Sequence, residues 1–213
     1  LDPADHIEGP RDIEINDDII VIASNGPHTN GYTLIRDILM TRAPELCATK
    51  MADGRSVLEG ALTPHLCYGA LIRSLIDSGL KPHGLAHVTG GGIRDNLVRI
   101  LPEGTPDKDF HGYDAQVCEA RIDLNSLRIP EVFLHLKNGG NCSEETMLST
   151  YNLGAGLIAV TAPADTDDVI ALCEKEGFEA YPAGKMAAST ERRVIFNGAL
   201  NWNNHPQNQV KIN

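Results

Sequence analysis

The strongest constraint on the fold is a pattern that occurs twice: a short apolar run, a glycine-containing loop, then apolar positions at helical spacing. In the first unit the β-branched run Ile19-Ile20-Val21-Ile22-Ala23 predicts a buried strand. It runs into Ser24-Asn25-Gly26-Pro27-His28-Thr29-Asn30-Gly31, a loop by every turn signal, and Leu34, Ile35, Ile38 and Leu39 then predict a helix over 32–41. In the second unit a strand over 84–88 leads into Thr89-Gly90-Gly91-Gly92, and Ile93, Leu97, Ile100 and Leu101 predict a helix stopped near Pro102. The first turn of such a helix leaves backbone N–H groups unpaired, and its dipole adds roughly half a positive charge there. Glycines let a ligand approach that backbone closely, so a unit of this kind can hold a phosphate at the helix N-terminus.

The rest of the chain is consistent with one domain over 19–197, led by a polar, acidic segment 1–18 with no material for a core and followed by a flexible, Asn-rich tail over 198–213. Residues 42–60 read as irregular. Thr63-Pro64 reads as an N-cap followed by Pro at the first helical position, with Leu66, Ala70, Leu71, Leu75 and Ile76 as the apolar stripe and Gly79 as the stop. Residues 103–120, rich in Gly, Pro, Asp and His, read as an exposed excursion. Helices are expected from Pro130 to Gly139-Gly140, over 143–150, and from Asp165 or Thr166 to Glu176; strands are expected over 157–161, 179–182 and 193–196.

Charge excludes one class of partner. The formal net charge of −11 comes without any Lys/Arg-rich stretch, so a nucleic-acid backbone would be repelled. No apolar run approaches the ~18 residues that a membrane helix needs, so no membrane partner is expected, and with no signal peptide visible the reading is cytoplasmic. The five cysteines form no Cys-x-x-Cys pair, which fits buried or half-buried thiols and argues against structural zinc; no metal ligand is assigned. Asp165, Asp167 and Asp168 complement a helix dipole and need no metal.

Three blocks carry a family resemblance. His28-Thr29-Asn30-Gly31-Tyr32-Thr33-Leu34-Ile35-Arg36, then His87-Val88-Thr89-Gly90-Gly91-Gly92 with Asn96, Arg99 and Leu101-Pro102, then Met147 with Thr150-Tyr151-Asn152, Gly154 and Gly156, resemble signatures of the phosphoribosylformylglycinamidine cyclo-ligases, in their order and at similar spacing. The resemblance covers 6–197 and is to the C-terminal half of that enzyme. It implies an α+β fold with a mixed sheet and packed helices. The implied reaction is ATP-dependent closure of formylglycinamidine ribonucleotide to aminoimidazole ribonucleotide. ATP and Mg2+ would be bound mainly by an N-terminal ATP-binding domain that this sequence lacks, and a homo-oligomer, a dimer, is expected. Because residue 1 is Leu, the chain is read as starting inside a longer frame.

The candidate site follows from the loops and the resemblance together. His28 and His87 are the candidate catalytic residues, since each flanks a glycine loop at a helix start. The helix dipole disfavours the imidazolium, so His28 is expected to be neutral near pH 7. Ser24, Gly26, Asn30, Gly31, Thr33, Thr89, Gly90, Gly91, Gly92, Asn96, Arg99 and Asn152 are candidates for substrate or phosphate binding, although Asn96 and Asn152 equally suit turn capping and Arg99 equally suits an ion pair with Asp95. His65, His83, His111, His135 and His205 read as surface residues. Two positions depart from the family pattern: His65-Leu66 stands where Thr-Arg is usual, and Leu148-Ser149 where Tyr-Arg is usual. The competing reading is therefore a non-catalytic, detached or degenerate copy of the domain, acting as a subunit or structural module.

Overall fold

The structure, a computed structural model, describes residues 7, 9–102 and 117–206. Its centre is β1 (Asp18–Ala23), whose alternate side chains enter two separate cores. Ile19 and Val21 face one, Ile20 and Ile22 the other, and each is fully buried. At about 25 cal/mol per Å² of apolar surface, each such side chain contributes roughly 2 kcal/mol, which is why an unbroken β-branched run belongs in the middle of a covered sheet.

Six strands form one mixed sheet in the order β2-β4-β1-β5-β3-β6, with β2 at Gly84–His87, β3 at Cys118–Asp123, β4 at Ala155–Thr161, β5 at Ala180–Ala188 and β6 at Arg193–Asn197. All pairings are antiparallel except β3 with β6. The helices α4 (Gly69–Asp77) and α8 (Thr166–Lys175) cover one face through Leu71, Leu75, Val169 and Cys173. The other face takes α2 (Tyr32–Asp37, continued by a π-turn over Ile38–Arg42), α5 (Gly92–Leu97), α6 (Glu131–Gly140) and α7 (Glu144–Thr150). The expected mixed sheet with packed helices is thus what forms. Among the described residues no helix is long and apolar enough to cross a membrane.

Several local expectations needed correction. The segment 42–60 contains α3 (Val57–Ala61), opened by a capping box in which Ser56 Oγ accepts from the Glu59 N–H while Glu59 accepts from the Ser56 N–H. The Ser56-Val57-Leu58-Glu59 spacing is a capping-box signature, and it starts a helix in a segment too short for a periodic apolar stripe. Thr63-Pro64 does not start a helix. The chain forms no regular structure until Gly69, because Leu66 and Tyr68 turn inward on the approach and the Tyr68 hydroxyl donates to the Ala23 carbonyl at 2.9 Å. The excursion expected over 103–120 ends earlier, since Cys118–Asp123 is β3; its remainder, with His111, lies outside the described residues.

Both ends of the chain are better tied than their composition suggests. In the leading segment, α1 (Gly9–Asp12) forms and Ile13 joins the core. Residues 198–206 pack as well: the Ile129 N–H donates to the Asn204 carbonyl, Trp202 donates to Glu144, His205 bonds the Ile129 carbonyl and Leu200 is buried. Asparagine-rich sequence can stay ordered when its amides find backbone partners, as Asn204 does with the Leu127 carbonyl.

Asp17, 2% exposed, accepts from the Glu14 N–H and from His83 Nδ1 at 2.7 Å. His83 is therefore a half-buried partner rather than a plain surface residue, and this bond, with the Asp17, Glu14 and Asp12 charges behind it, raises its pKa above the ordinary value of 6.5. A group whose pKa is higher in the folded state stabilises fully below its unfolded value and loses that contribution as pH rises through the folded one. The denaturant midpoint should therefore fall as pH rises from about 6.5 into the mildly alkaline range. His83→Gln should flatten that part of the curve. Equal slopes in the two proteins would refute the assignment.

Candidate functional site

Strand order brings the two glycine loops together. β1 and β2 are both antiparallel to β4, which lies between them, so they run parallel and deliver their C-terminal loops to the same end of the sheet. There the Ser24 N–H bonds the Gly154 carbonyl and the Val88 N–H bonds the Gly156 carbonyl. His28 from the first loop and His87 at the end of β2 meet above the start of β4, their ring centroids 5.8 Å apart. Gly156 makes room for this: a Cβ there would lie 1.9 Å from the Tyr68 hydroxyl and 2.9 Å from His28 Cε1.

A third histidine completes the group. His65, on the irregular approach to α4, stacks on His87 at 5.1 Å and lies 3.9 Å from His28, centroid to centroid. Its Nε2 is 3.2 Å from His87 Nε2. The sequence reading placed His65 on the surface, and it is indeed exposed, yet its ring faces the other two. The one hint in the sequence was its departure from the family pattern. His28 is 4% exposed, and neither ring nitrogen has a hydrogen-bond partner. Burial, reinforced by the neighbouring His65 and His87, pushes its pKa down to about 3. The ring is thus neutral at pH 7 as expected, but through desolvation more than through a helix dipole. His65 is lowered too, by burial and then by His87.

The asparagines hold the loops in shape. Asn152 Oδ1 accepts from the Ser24 hydroxyl and the Gly154 N–H, and its amide donates to the Gly26 carbonyl, all at 3.0 Å. Asn96 donates to the Gly90 and Gly92 carbonyls and accepts from the Thr89 hydroxyl and from Arg99. The polar groups of Ser24, Asn96 and Asn152 are therefore already engaged in bracing. Gly31 (φ +83°) and Gly91 (φ +90°) cap α2 and α5 in the left-handed region, which suits residues without a Cβ. The Asp95 carboxylate folds over Gly91, 2.3 Å from where a Cβ would stand, so a negative charge already covers the start of α5.

Between the loops lies a shallow cleft of about 190 Å³, open mouth included, lined by Pro27, His28, Asn30, Val88, Thr89, Thr150, Tyr151 and Asn152. Asn30 lies against Gly90, so both loops share this surface. Thr33 and Arg99 are exposed and line none of it. The contribution of Thr150 and Tyr151, the end of α7, was not anticipated as lining. The space it encloses is only about 10 Å³, room for a single water against the about 300–1,000 Å³ of drug- or nucleotide-sized pockets, so by itself it is a surface depression that holds no nucleotide.

The family described as AIR synthase related protein, C-terminal domain, matches residues 14–107 and 113–197. A phosphoribosylformylglycinamidine cyclo-ligase of Synechococcus sp. (strain CC9605) is 34% identical over 184 residues, which is 86% of this chain and 49% of that protein. One from Sorangium cellulosum (strain So ce56) is 36% identical over 196 residues, 89% and 52% of the two chains. The chain thus spans about half the length of the curated relatives it matches. Among solved structures, thiamine-monophosphate kinase from Stenotrophomonas maltophilia K279a superposes with a TM-score of 0.58 at 19% identity, covering 90% of this chain and 53% of that one. The hydrogenase maturation protein HypE of E. coli gives 0.53 at 15% identity, covering 91% and 49%. At such identities these two show a shared fold.

Proposed function

This chain belongs to the family of AIR synthase related proteins, as their C-terminal domain, and from that premise we propose that it is the C-terminal half of a phosphoribosylformylglycinamidine cyclo-ligase. The observation that carries the reading is the convergence of the two glycine loops at one end of the sheet, where His28 lines a shallow open cleft and His87 lies 5.8 Å from it, centroid to centroid, outside the cleft lining. The substrate would be a small anionic ribonucleotide, and the cellular setting the cytoplasm.

In the proposed reaction the γ-phosphoryl group of ATP moves to the formyl oxygen of formylglycinamidine ribonucleotide, releasing ADP. The amidine nitrogen then attacks the activated carbon and loses a proton, and the carbon–oxygen bond to phosphate breaks. Such chemistry rests on positioning, on donors around the transferring group and on a nearby proton acceptor. The candidate acceptor in the cleft wall is His28, a buried ring whose nitrogens no protein group occupies; burial and the neighbouring imidazoles make it a weak base in this half alone. Asn30, Thr89 and the glycine backbone around them would contact the ribonucleotide, with Ser24, Asn96 and Asn152 holding their loops. Mg2+ takes oxygen ligands, and the cleft is lined by no carboxylate among the described residues, so Mg2+ and ATP are assigned to the N-terminal half.

The replaced cationic positions, His65-Leu66 and Leu148-Ser149, favour the second reading of a non-catalytic copy. One assay separates the two. The protein from its full reading frame, with an N-terminal half, should form aminoimidazole ribonucleotide from ATP and formylglycinamidine ribonucleotide, and this chain alone should form none. A full-length protein that folds, binds ATP and gives no product would favour the non-catalytic reading; product from this chain alone would refute the division of labour.

A further inference from the structure

We propose that His28, His65 and His87 form a binding site for a transition-metal dication of the zinc, cobalt or nickel class. Among the described residues this is the group whose ligand atoms lie close enough to share one ion, all within 4.8 Å of one another. Zinc–nitrogen bonds of about 2.0–2.1 Å in a tetrahedron place neighbouring nitrogens roughly 3.3 Å apart. His65 Nε2 and His87 Nε2 already stand at 3.2 Å. A second observation points the same way: His28 is 96% buried by its 4% exposure, is aimed into the cluster, and has no partner on either nitrogen. Leaving a buried ring nitrogen without a partner is costly, and a shared ion would satisfy it.

The donor set selects the ion. Neutral imidazoles suit borderline dications and give nothing to Mg2+ or Ca2+, which take oxygen. Three side-chain ligands leave at least one coordination position for water or a ligand oxygen, and the cleft that His28 lines is where it would open. His28 and His87 occur in the cyclo-ligase pattern, whereas His65 stands where that pattern has Thr, so the third ligand is a property of this chain. The ion would take a nitrogen lone pair that proton acceptance by His28 also needs, so metal occupancy and proton transfer at that atom exclude one another. The site stands whether or not the chain is half of a cyclo-ligase, and its test needs no turnover.

The test is titration of the chelator-stripped chain with Zn2+ against a chromophoric chelator, and with Co2+ followed by its visible d–d absorption. One equivalent should bind, with the spectrum of a low-coordinate, nitrogen-ligated ion. His65→Ala and His87→Ala, both at exposed positions, should each weaken binding at least tenfold while leaving the denaturant midpoint close to that of the parent. His65→Thr should behave like His65→Ala. Cys67, an exposed thiol two residues from His65, is the obvious competitor, and Cys67→Ser should leave the affinity and the Co2+ spectrum unchanged. Loss of binding in Cys67→Ser, thiolate charge-transfer bands, or parent-like affinity in His65→Ala would each overturn the proposal, as would a parent that binds less than one equivalent.

Discussion

Gly92→Ala should destabilise the domain by at least about 3 kcal/mol, among the largest losses a single methyl group can cause. Gly92 has φ +66°, where an L side chain is strained, and an added Cβ would stand 1.9 Å from the Leu148 carbonyl oxygen and 3.1 Å from that of Tyr151. Those are main-chain atoms at the end of α7, not flexible side chains that could swing away. Gly92 therefore has a packing reason: α5 starts directly against the backbone of α7. Gly54→Ala is the control. Gly54 also has positive φ, +84°, but a Cβ there meets nothing within 4 Å, so only the backbone cost of roughly 1 kcal/mol applies. Urea midpoints of the two variants compared with the parent give the difference directly. Equal losses would mean that the close seat of α5 on α7 is wrong.

In the complete two-domain protein, His28→Ala should lower turnover by roughly 10²–10⁴-fold if the ring accepts the proton of ring closure. An exposed loop side chain would have left stability nearly untouched, but the ring is buried beside His65, Tyr68 and Gly156, so truncation should also cost on the order of 1–2 kcal/mol of packing. His28→Leu separates the two effects: it keeps most of the bulk and removes two unpartnered buried nitrogens, so stability should hold while turnover still falls. Activity within about threefold of the parent in both variants, under ~0.7 kcal/mol of barrier, would remove the catalytic assignment.

Much of this architecture was written locally. A short β-branched run closed by turn residues favours a covered strand over a helix, and β1 is one. Pro130 before Val132, Phe133 and Leu136, with Gly139-Gly140 behind, specified α6 to within a residue, because caps and periodicity act over a single turn. The glycine loops and the two histidines beside them could be picked out for the same reason: local backbone demands leave local residue choices. Local reading erred where distant contacts prevail, as at Thr63-Pro64, where a sound helix-start signal yields to the burial of Leu66 and Tyr68 against the sheet.

The site itself was a different matter. No rule of spacing relates positions 28, 65 and 87, and nothing in the sequence says that β4, more than a hundred residues later than β1, inserts between β1 and β2. That insertion sets the two loops side by side across a strand whose Gly156 leaves space for an imidazole. It also decides that Asn96 and Asn152 spend their amides on loop carbonyls and that His65 turns toward a buried ring. Periodicity, caps and glycines act through neighbours in the chain, so the sequence alone specified elements and loops. Which loops meet depends on strand order, a free-energy balance summed over the whole sheet and both cores, and only the tertiary structure determined that.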